Sequence, residues 1–389
     1  MANQAIISIV IPAYNSADFI AETLDSCVAQ PYKTIEIIVI DDGSSDDTIK
    51  IVESYGDKVR LIQQKNSGPA IARNTGISAS DGSYIQFCDS DDTLHPEKIE
   101  KSIVDAAKDN CELIVFGEAL LPGYPFWVAL TNGAEWDSKT QKEIHAHYVR
   151  NSITIEKGEL DSICKLAKEN KIAIYLGIME RAQNRGGHSI YASLVYINEE
   201  GEIKSVHRKL QPTYDERLTW APGDGNGLQV HPLKEFTVGG LNCWENWMPL
   251  PRTALYGLGE NLHIAVWPGS DHNTKDITRF IARESRSFVI SVSSLMQKSD
   301  FPKEVPHFDK IVKDVPDVLA NGGSCIASPN GEWLVEPVLH KEGLIIETLD
   351  FNRVLEERQN FDAVGHYSRP DVTKLHVNRE RQSTVSYDD

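Results

Sequence analysis

Over its first hundred residues the chain alternates short, dense apolar runs with longer stretches in which apolar side chains recur every three or four positions. IISIVIPAY (6–14), IEIIVIDD (35–42), VRLIQQ (59–64) and SYIQFCD (83–89) read as strands. Amphipathic stretches near Ala17 to Ala29 and near Asp47 to Tyr55 read as helices, with GPAIARNTGISASDG (68–82) as a further connecting segment. Strands alternating with helices predict a parallel, doubly wound α/β sheet of Rossmann-like type. In HPEKIEKSIVDAAKDN (95–110), Ile99, Ile103, Ala106 and Ala107 fall at i, i+4, i+7 and i+8, which predicts one more helix able to cover a sheet.

Composition narrows the classes open to the chain. Its 389 residues are enough for two units, 41% hydrophobic and 25% charged residues are ordinary globular values, and no apolar run approaches the ~20 residues of a membrane span. The opening MANQAIISIVIPAYN has no basic region ahead of its apolar stretch, so a signal peptide is not expected and a cytoplasmic protein without a membrane partner is. A net charge of -18 opposes binding to phosphate backbones, leaving small molecules rather than nucleic acid as the expected partners. Cys27, Cys88, Cys111, Cys164, Cys243 and Cys325 show no paired short spacing, which suits neither a disulfide framework nor a zinc knuckle.

Four segments stand in order through the first part of the chain: IPAYN (11–15), IDDGSSDDT (40–48), GPAIARNTGI (68–77) and FCDSDD (87–92). Singly, IDDGSSDDT and DSDD each read as a turn ahead of a helix N-terminus, where Asp and Ser cap and acidic groups meet the positive end of the dipole. Together the four resemble the opening half of the family-two glycosyltransferases, which transfer sugars from nucleotide-sugar donors. The resemblance implies that Asp41 and Asp42 hold the base and ribose. It also implies that Asp89 and Asp91, the DxD pair, bind the donor diphosphate through Mg²⁺ or Mn²⁺, hard cations suited to carboxylate oxygens. Nothing further on resembles the acceptor half with its catalytic carboxylate, so the transferase is expected to be incomplete and this donor site vestigial.

Three later segments carry a different chemistry: LIVFGEALLPGYP (113–125), HRKLQPTYDERLTW (207–220) and GGLNCWENWMPLPR (239–252). They place Glu118, Lys209 and Cys243 at or just after the ends of short strands. A thiol attacks an electrophilic carbon well only once deprotonated, which calls for a base, and the anion calls for a nearby cation. In isolation Cys243 reads as a small buried hydrophobe, Lys209 as part of a surface basic cluster and Glu118 as a turn carboxylate. In register, and followed by VGHYSRPDV (364–372), the segments resemble the nitrilases of the carbon-nitrogen hydrolase superfamily from about residue 111 to 370.

That resemblance implies a four-layer αββα sandwich and a homo-oligomer. The implied reaction takes an organic nitrile to its carboxylic acid and ammonia, through a thioimidate and then a thioester on Cys243, with no cofactor. Glu118 is implied as base and acid, Lys209 as the cation, and Glu216, seven residues beyond Lys209, as the glutamate that positions Lys209 and substrate. Trp127 and Trp244 are the expected substrate-binding side chains. The chain thus reads as a fusion: residues 1–95 transferase-like, 96–370 hydrolase, and 371–389 a polar tail whose composition predicts disorder. The strand from Tyr84 to Cys88 is expected to pair in the hydrolase sheet. The competing readings are an active sugar transferase with a hydrolase-like appendage and a catalytically silent fusion. His145 and His147 lack a third metal ligand, and GDGNG (223–227) lacks the Lys and Ser or Thr of a phosphate loop, so neither is taken as a site.

Overall fold

The computed structural model describes residues 6–28, 34–82, 84–88, 90, 98–303, 305–313, 315–383 and 385. The chain divides into two compact units, Met1–Ser102 and Ile103–Asp389.

In the first unit the apolar runs become β1 (Ile7–Ala13), β2 (Ile35–Asp41), β3 (Arg60–Gln63) and β4 (Tyr84–Phe87), joined by helices α1 (Ile20–Val28), α2 (Thr48–Glu53) and α3 (Pro69–Ala79). Among the described residues they form a four-stranded parallel sheet in the order β3-β2-β1-β4. The two-residue period of a strand sends Ile9, Ile11, Ile37 and Val39 into a cluster with Ile20, Leu24 and Val52 of α1 and α2. Val10, Ile38 and Ile40 meet Ala72 of α3 on the other face. Covering both faces explains why β1 and β2 are apolar throughout rather than alternating.

The expected pairing of the 84–88 strand in the hydrolase sheet is not found. Tyr84 to Phe87 pair with Ile7 to Val10, so β4 completes the first sheet. The physical reason is that β1, apolar on both faces, has a second edge whose N–H and C=O groups need a partner.

Helix α4 (Lys98–Lys108) follows, with Ile99, Ile103 and Ala106 buried as its spacing predicts, and the division between units falls inside it. The second unit contains two sheets. The smaller has four strands in the order β5 (Leu113–Val115), β6 (Ala173–Arg181), β7 (Ile190–Ile197) and β8 (Ile203–Arg208). The larger has seven: β9 (Val230–Leu233), β10 (Phe236–Asn242), β11 (Leu262–Trp267), β12 (Phe288–Ser293), β13 (Leu295–Gln297), β14 (Val318–Ala327) and β15 (Trp333–Leu339).

The sheets face one another across a core in which Tyr175, Leu194 and Tyr196 of β6 and β7 meet Val238, Leu262, Ile264, Val266 and Phe288 of β10, β11 and β12. Outside the small sheet, α5 (Trp127–Leu130) and α6 (Lys139–Asn151) pack on Met179, Ile190 and Ala192. Helix α7 (Asp161–Asn170) precedes β6, burying Ile163 and Ala167. Beyond the large sheet, α9 (Asp271–Ser285) lays Ile277, Ile281 and Ala282 on Ala265, Trp267 and Val289, while α8 (Pro249–Tyr256) follows the Cys243 turn. Helix, sheet, sheet and helix make the four-layer αββα sandwich. Strand β7 is buried along its whole length, and each large aliphatic side chain so placed contributes about 1.5–3 kcal/mol.

The chain then runs through α10 (Phe308–Val312) and α11 (Asn352–Arg358) into an irregular C-terminal stretch. Composition predicts disorder for residues 371–389. Among the described residues of that stretch, Arg381 donates to Asp224 (2.9 Å) and to the Val206 carbonyl (2.9 Å), and the Gln382 N–H donates to Asp224 (3.0 Å). A single charge pair on a buried carboxylate outweighs the polarity of the surrounding sequence.

Candidate active site

Four strand ends and turns bring the chemistry together. After β5 the chain stays on β6: the Phe116 N–H donates to the Tyr175 carbonyl (2.8 Å), and Leu121 exchanges bonds with Gly177 (3.4 Å) and Met179 (2.7 Å). Glu118 lies between these anchors and is 1% exposed. The close approach depends on Gly177, where a β-carbon would lie 2.1 Å from the Gly117 carbonyl oxygen. Lys209 directly follows β8, its N–H bonded to the Ala192 carbonyl and its own carbonyl to the Gly223 N–H, both 2.8 Å. Glu216 sits in a 3-10 turn, Tyr214–Leu218, and closes a capping box with Thr213, whose N–H it accepts at 2.5 Å.

Cys243 directly follows β10 and opens a second 3-10 turn, Cys243–Trp247, with φ 49. That left-handed conformation costs a non-glycine residue about 1–2 kcal/mol, so something must hold it. The Cys243 carbonyl accepts from Asn246 Nδ2 (2.9 Å), whose Oδ1 pairs with His263 Nε2 (2.7 Å), which pairs through Nδ1 with Glu260 (2.9 Å). All of these side chains are buried.

The ionisable ends converge. Lys209 Nζ donates to Glu118 Oε1 (2.9 Å) and to Glu216 Oε2 (2.7 Å), and oxygen atoms of both glutamates lie within 4.8 Å of each other and of Cys243 Sγ. Such a trio of donors is a composition that a metal ion could also use. Here the Lys209 ammonium already bonds both carboxylates, so a side chain supplies the cation. Glu216 Oε1 accepts from the Tyr124 hydroxyl (2.8 Å), while Glu118 Oε2 is buried without a hydrogen-bond partner among the described residues. The Trp220 ring lies 5.2 Å from Lys209 Nζ and edge-on to Tyr124 at 5.5 Å.

Burial decides the protonation of this cluster. It pushes the Glu118 carboxyl up to about 7, with Lys209 pulling back and Glu216 and Glu245 adding to the rise. Burial, then Glu118, hold the Cys243 thiol well above its ordinary value despite Lys209. Burial works against the Lys209 ammonium, but Cys243, Glu118 and Glu216 outweigh it and raise its pKa. The resting arrangement is thus a protonated thiol, a fixed ammonium and a carboxyl poised near neutrality. It can pass the thiol proton to Glu118 and stabilise a developing anion beside Lys209.

The other predicted residues are placed differently. Trp127 is 7% exposed and packs in the α5–α6 core, edge-on to Tyr148, whereas Trp244 is 52% exposed. Asp41 and Asp42 are buried at the end of β2. Asp41 Oδ2 accepts the Gly43 and Ser44 N–H groups, both at 3.2 Å. Asp42 accepts from Gln64 (2.7 Å), Ser67 N–H (2.9 Å) and Gly68 N–H (2.8 Å); burial pushes its carboxyl up, but these donors outweigh it and hold it below its ordinary value. Asp89 and Asp91 lie outside the described residues. His145 bonds Thr219 (3.0 Å).

The sequence alone assigned no role to Tyr124, Trp220, Glu245 or Asn246, although all four stand inside the motif segments. Their positions inside LPGYP, LTW and CWEN were the available signal, but partners many residues away were not visible.

The sequence pattern of the carbon-nitrogen hydrolases matches residues 86–359, and that of glycosyl transferase family 2 matches residues 8–152. Nitrilase 2 of Arabidopsis thaliana is 34% identical over 323 residues, which cover 82% of this chain and 91% of that protein. A bifunctional nitrilase/nitrile hydratase of Nicotiana tabacum, NIT4B, is 32% identical over 328 residues, 83% of this chain and 90% of the relative. A crystal structure of a carbon-nitrogen hydrolase from Helicobacter pylori G27 shares the fold with a TM-score of 0.50 at 17% identity, over 71% of this chain and 92% of that one. With the family pattern spanning 86–359 and relatives aligned over most of both chains, this chain belongs to the carbon-nitrogen hydrolase family.

Proposed function

We propose that the stretch 96–370 is a nitrilase acting on a small organic nitrile, with Cys243 as nucleophile, Glu118 as general base and acid, Lys209 as the electrostatic partner and Glu216 as the residue that holds Lys209. The observation that carries this reading is one ammonium shared by two buried carboxylates with a thiol sulfur within 4.8 Å. The names of the relatives support nitriles as the substrate class.

In the proposed cycle Glu118 takes the thiol proton as sulfur bonds to the nitrile carbon, and the nitrogen gains that proton to give a thioimidate. A first water adds its oxygen to the carbon, Glu118 passing one of its protons to the nitrogen and then taking the proton of the new hydroxyl. The carbon–nitrogen bond then breaks, ammonia leaves with a proton from Glu118, and a thioester remains. A second water, deprotonated by Glu118, releases the carboxylic acid and restores the thiol. Lys209 stabilises the anion at each tetrahedral stage. Breaking the carbon–sulfur bond before the carbon–nitrogen bond would release amide instead, the outcome that the name of the tobacco relative points to. Incubation with aliphatic, aromatic and arylacetonitrile substrates, with ammonia and amide measured, tests the reading. No product from any nitrile or amide, or equal product from Cys243→Ala, would sink it.

The same reading expects a homo-oligomer, for which the exposed Leu250 on α8 and Phe280 on α9 would be available to a second copy. Sedimentation of a monomer alone at assay concentration would remove that part.

A further inference from the structure

Glu245 stands two residues beyond Cys243 and has no part in the cycle above. Its side chain is fully buried, and its carboxylate accepts the Leu210 N–H at Oε1 (2.6 Å) and the Asn242 N–H at Oε2 (3.0 Å). His207 Nε2 lies 3.2 and 3.0 Å from the two oxygens. Leu210 is the residue after Lys209, and Asn242 is the residue before Cys243. Strand β8, which leads to Lys209, belongs to the four-stranded sheet, and β10, which leads to Cys243, to the seven-stranded one. The ammonium and the thiol are therefore delivered by different layers of the sandwich. A turn-capping role accounts for the Asn242 bond alone; Leu210 and His207 are 35 and 38 residues away.

We infer that Glu245 is a positioning residue: one buried carboxylate, shared by Leu210, Asn242 and His207, staples the two sheets at the site and sets how Lys209 Nζ stands to Cys243 Sγ. The inference rests on the proposed roles of those two groups. It has an electrostatic side as well. Glu118 faces Lys209, Glu216, Cys243, Tyr124 and Glu245, and the Glu245 charge contributes to its raised pKa. Burial pushes the Glu245 carboxyl itself up, but His207 and the two N–H donors outweigh burial and keep it ionised.

The test compares Glu245→Gln and Glu245→Asp with wild type in kcat, KM, the pH profile of kcat/KM on a nitrile, and the rate at which iodoacetamide alkylates Cys243. Misplacement of the reacting groups by about 1 Å costs about 10²-fold. Both variants are expected to lose about that much kcat with KM changed less than about threefold. The acid limb should move to lower pH in Glu245→Gln, where the charge is gone. It should stay in place in Glu245→Asp, which keeps the charge but is too short to reach both N–H groups. Alkylation should slow by about tenfold in both. A kcat within about twofold of wild type in either folded variant, or unchanged alkylation in both, overturns the inference. If Glu245→Gln does not fold, Glu245→Asp decides alone. Failure of both to fold makes Glu245 a general fold determinant and also overturns it. Should wild type release no ammonia, the nitrilase reading fails, while alkylation still tests Glu245.

Discussion

Among the described residues, a pair of carboxylates is buried at the end of β2 and another in the hydrolase sandwich, and the pairs differ in what they face. At the end of β2, Asp41 and Asp42 accept backbone N–H groups of the following loops and the Gln64 amide. In the hydrolase sandwich, Glu118 and Glu216 share the ammonium of Lys209. Each place keeps one buried oxygen without a partner among the described residues, Asp41 Oδ1 and Glu118 Oε2. Only Glu118 has a cation on its other oxygen and a thiol and second carboxylate within 4.8 Å. Burial and an unsatisfied oxygen do not by themselves make a reactive site; convergence of a nucleophile, a base and a charge does.

The sharpest way to break the comparison is Cys243→Ala, expected to lower nitrile hydrolysis by about 10⁴-fold or more because it removes the thiol that lies within 4.8 Å of Glu118. Residual ammonia release near wild type would mean that the convergence is not the reactive feature. Lys209→Met comes next. It leaves two carboxylates buried without their cation, so it should cost about 3–5 kcal/mol of stability and about 10³-fold in kcat. Denaturant melts together with single-turnover rates separate the two losses.

The pH profile sharpens the contrast further. Glu118 is raised from 4.5 to about 7, so its base form, and with it kcat/KM, should decline as pH falls through about 7. The sign for stability is opposite. The folded chain binds this proton more tightly than the unfolded chain, so Glu118 costs stability progressively as pH rises from 4.5 to about 7. Thermal melts of Glu118→Gln, inactive but lacking this titration, should therefore gain on wild type as pH rises across that window. The smallest effect is expected at the end of β2. Asp42→Ala removes acceptors for Ser67 and Gly68 ahead of α3 and should cost about 1–2 kcal/mol, with kcat on a nitrile unchanged. A matching loss of kcat would join two units that the comparison keeps separate in chemistry.

The strands of the first unit were legible because their apolar runs are local facts; in the second unit only the short strands that lead to Glu118, Lys209 and Cys243 were read. The partner of β4 was not: a four-residue strand reads the same whichever sheet it joins, and only the open edge of β1 decides. Trp127 shows the same limit, since an aromatic in a motif segment can line a pocket or fill a core, and here it packs under α6. The anchoring of Arg381 was not legible either, because composition records the polarity of the C-terminal stretch but not the Asp224 carboxylate that Arg381 meets.

By itself, the sequence carried the family and pointed to Glu118, Lys209, Glu216 and Cys243, because the motif segments that hold them stand in the order of the carbon-nitrogen hydrolases, although each residue alone reads as an ordinary core or surface position. The tertiary structure alone decided that Lys209 and Cys243 arrive from different sheets, that Tyr124 bonds Glu216, and that Glu245 accepts from Leu210. Those contacts join residues 35 and 92 positions apart. A pattern with a period of two or of 3.6 residues carries no information over such separations; packing the two sheets does.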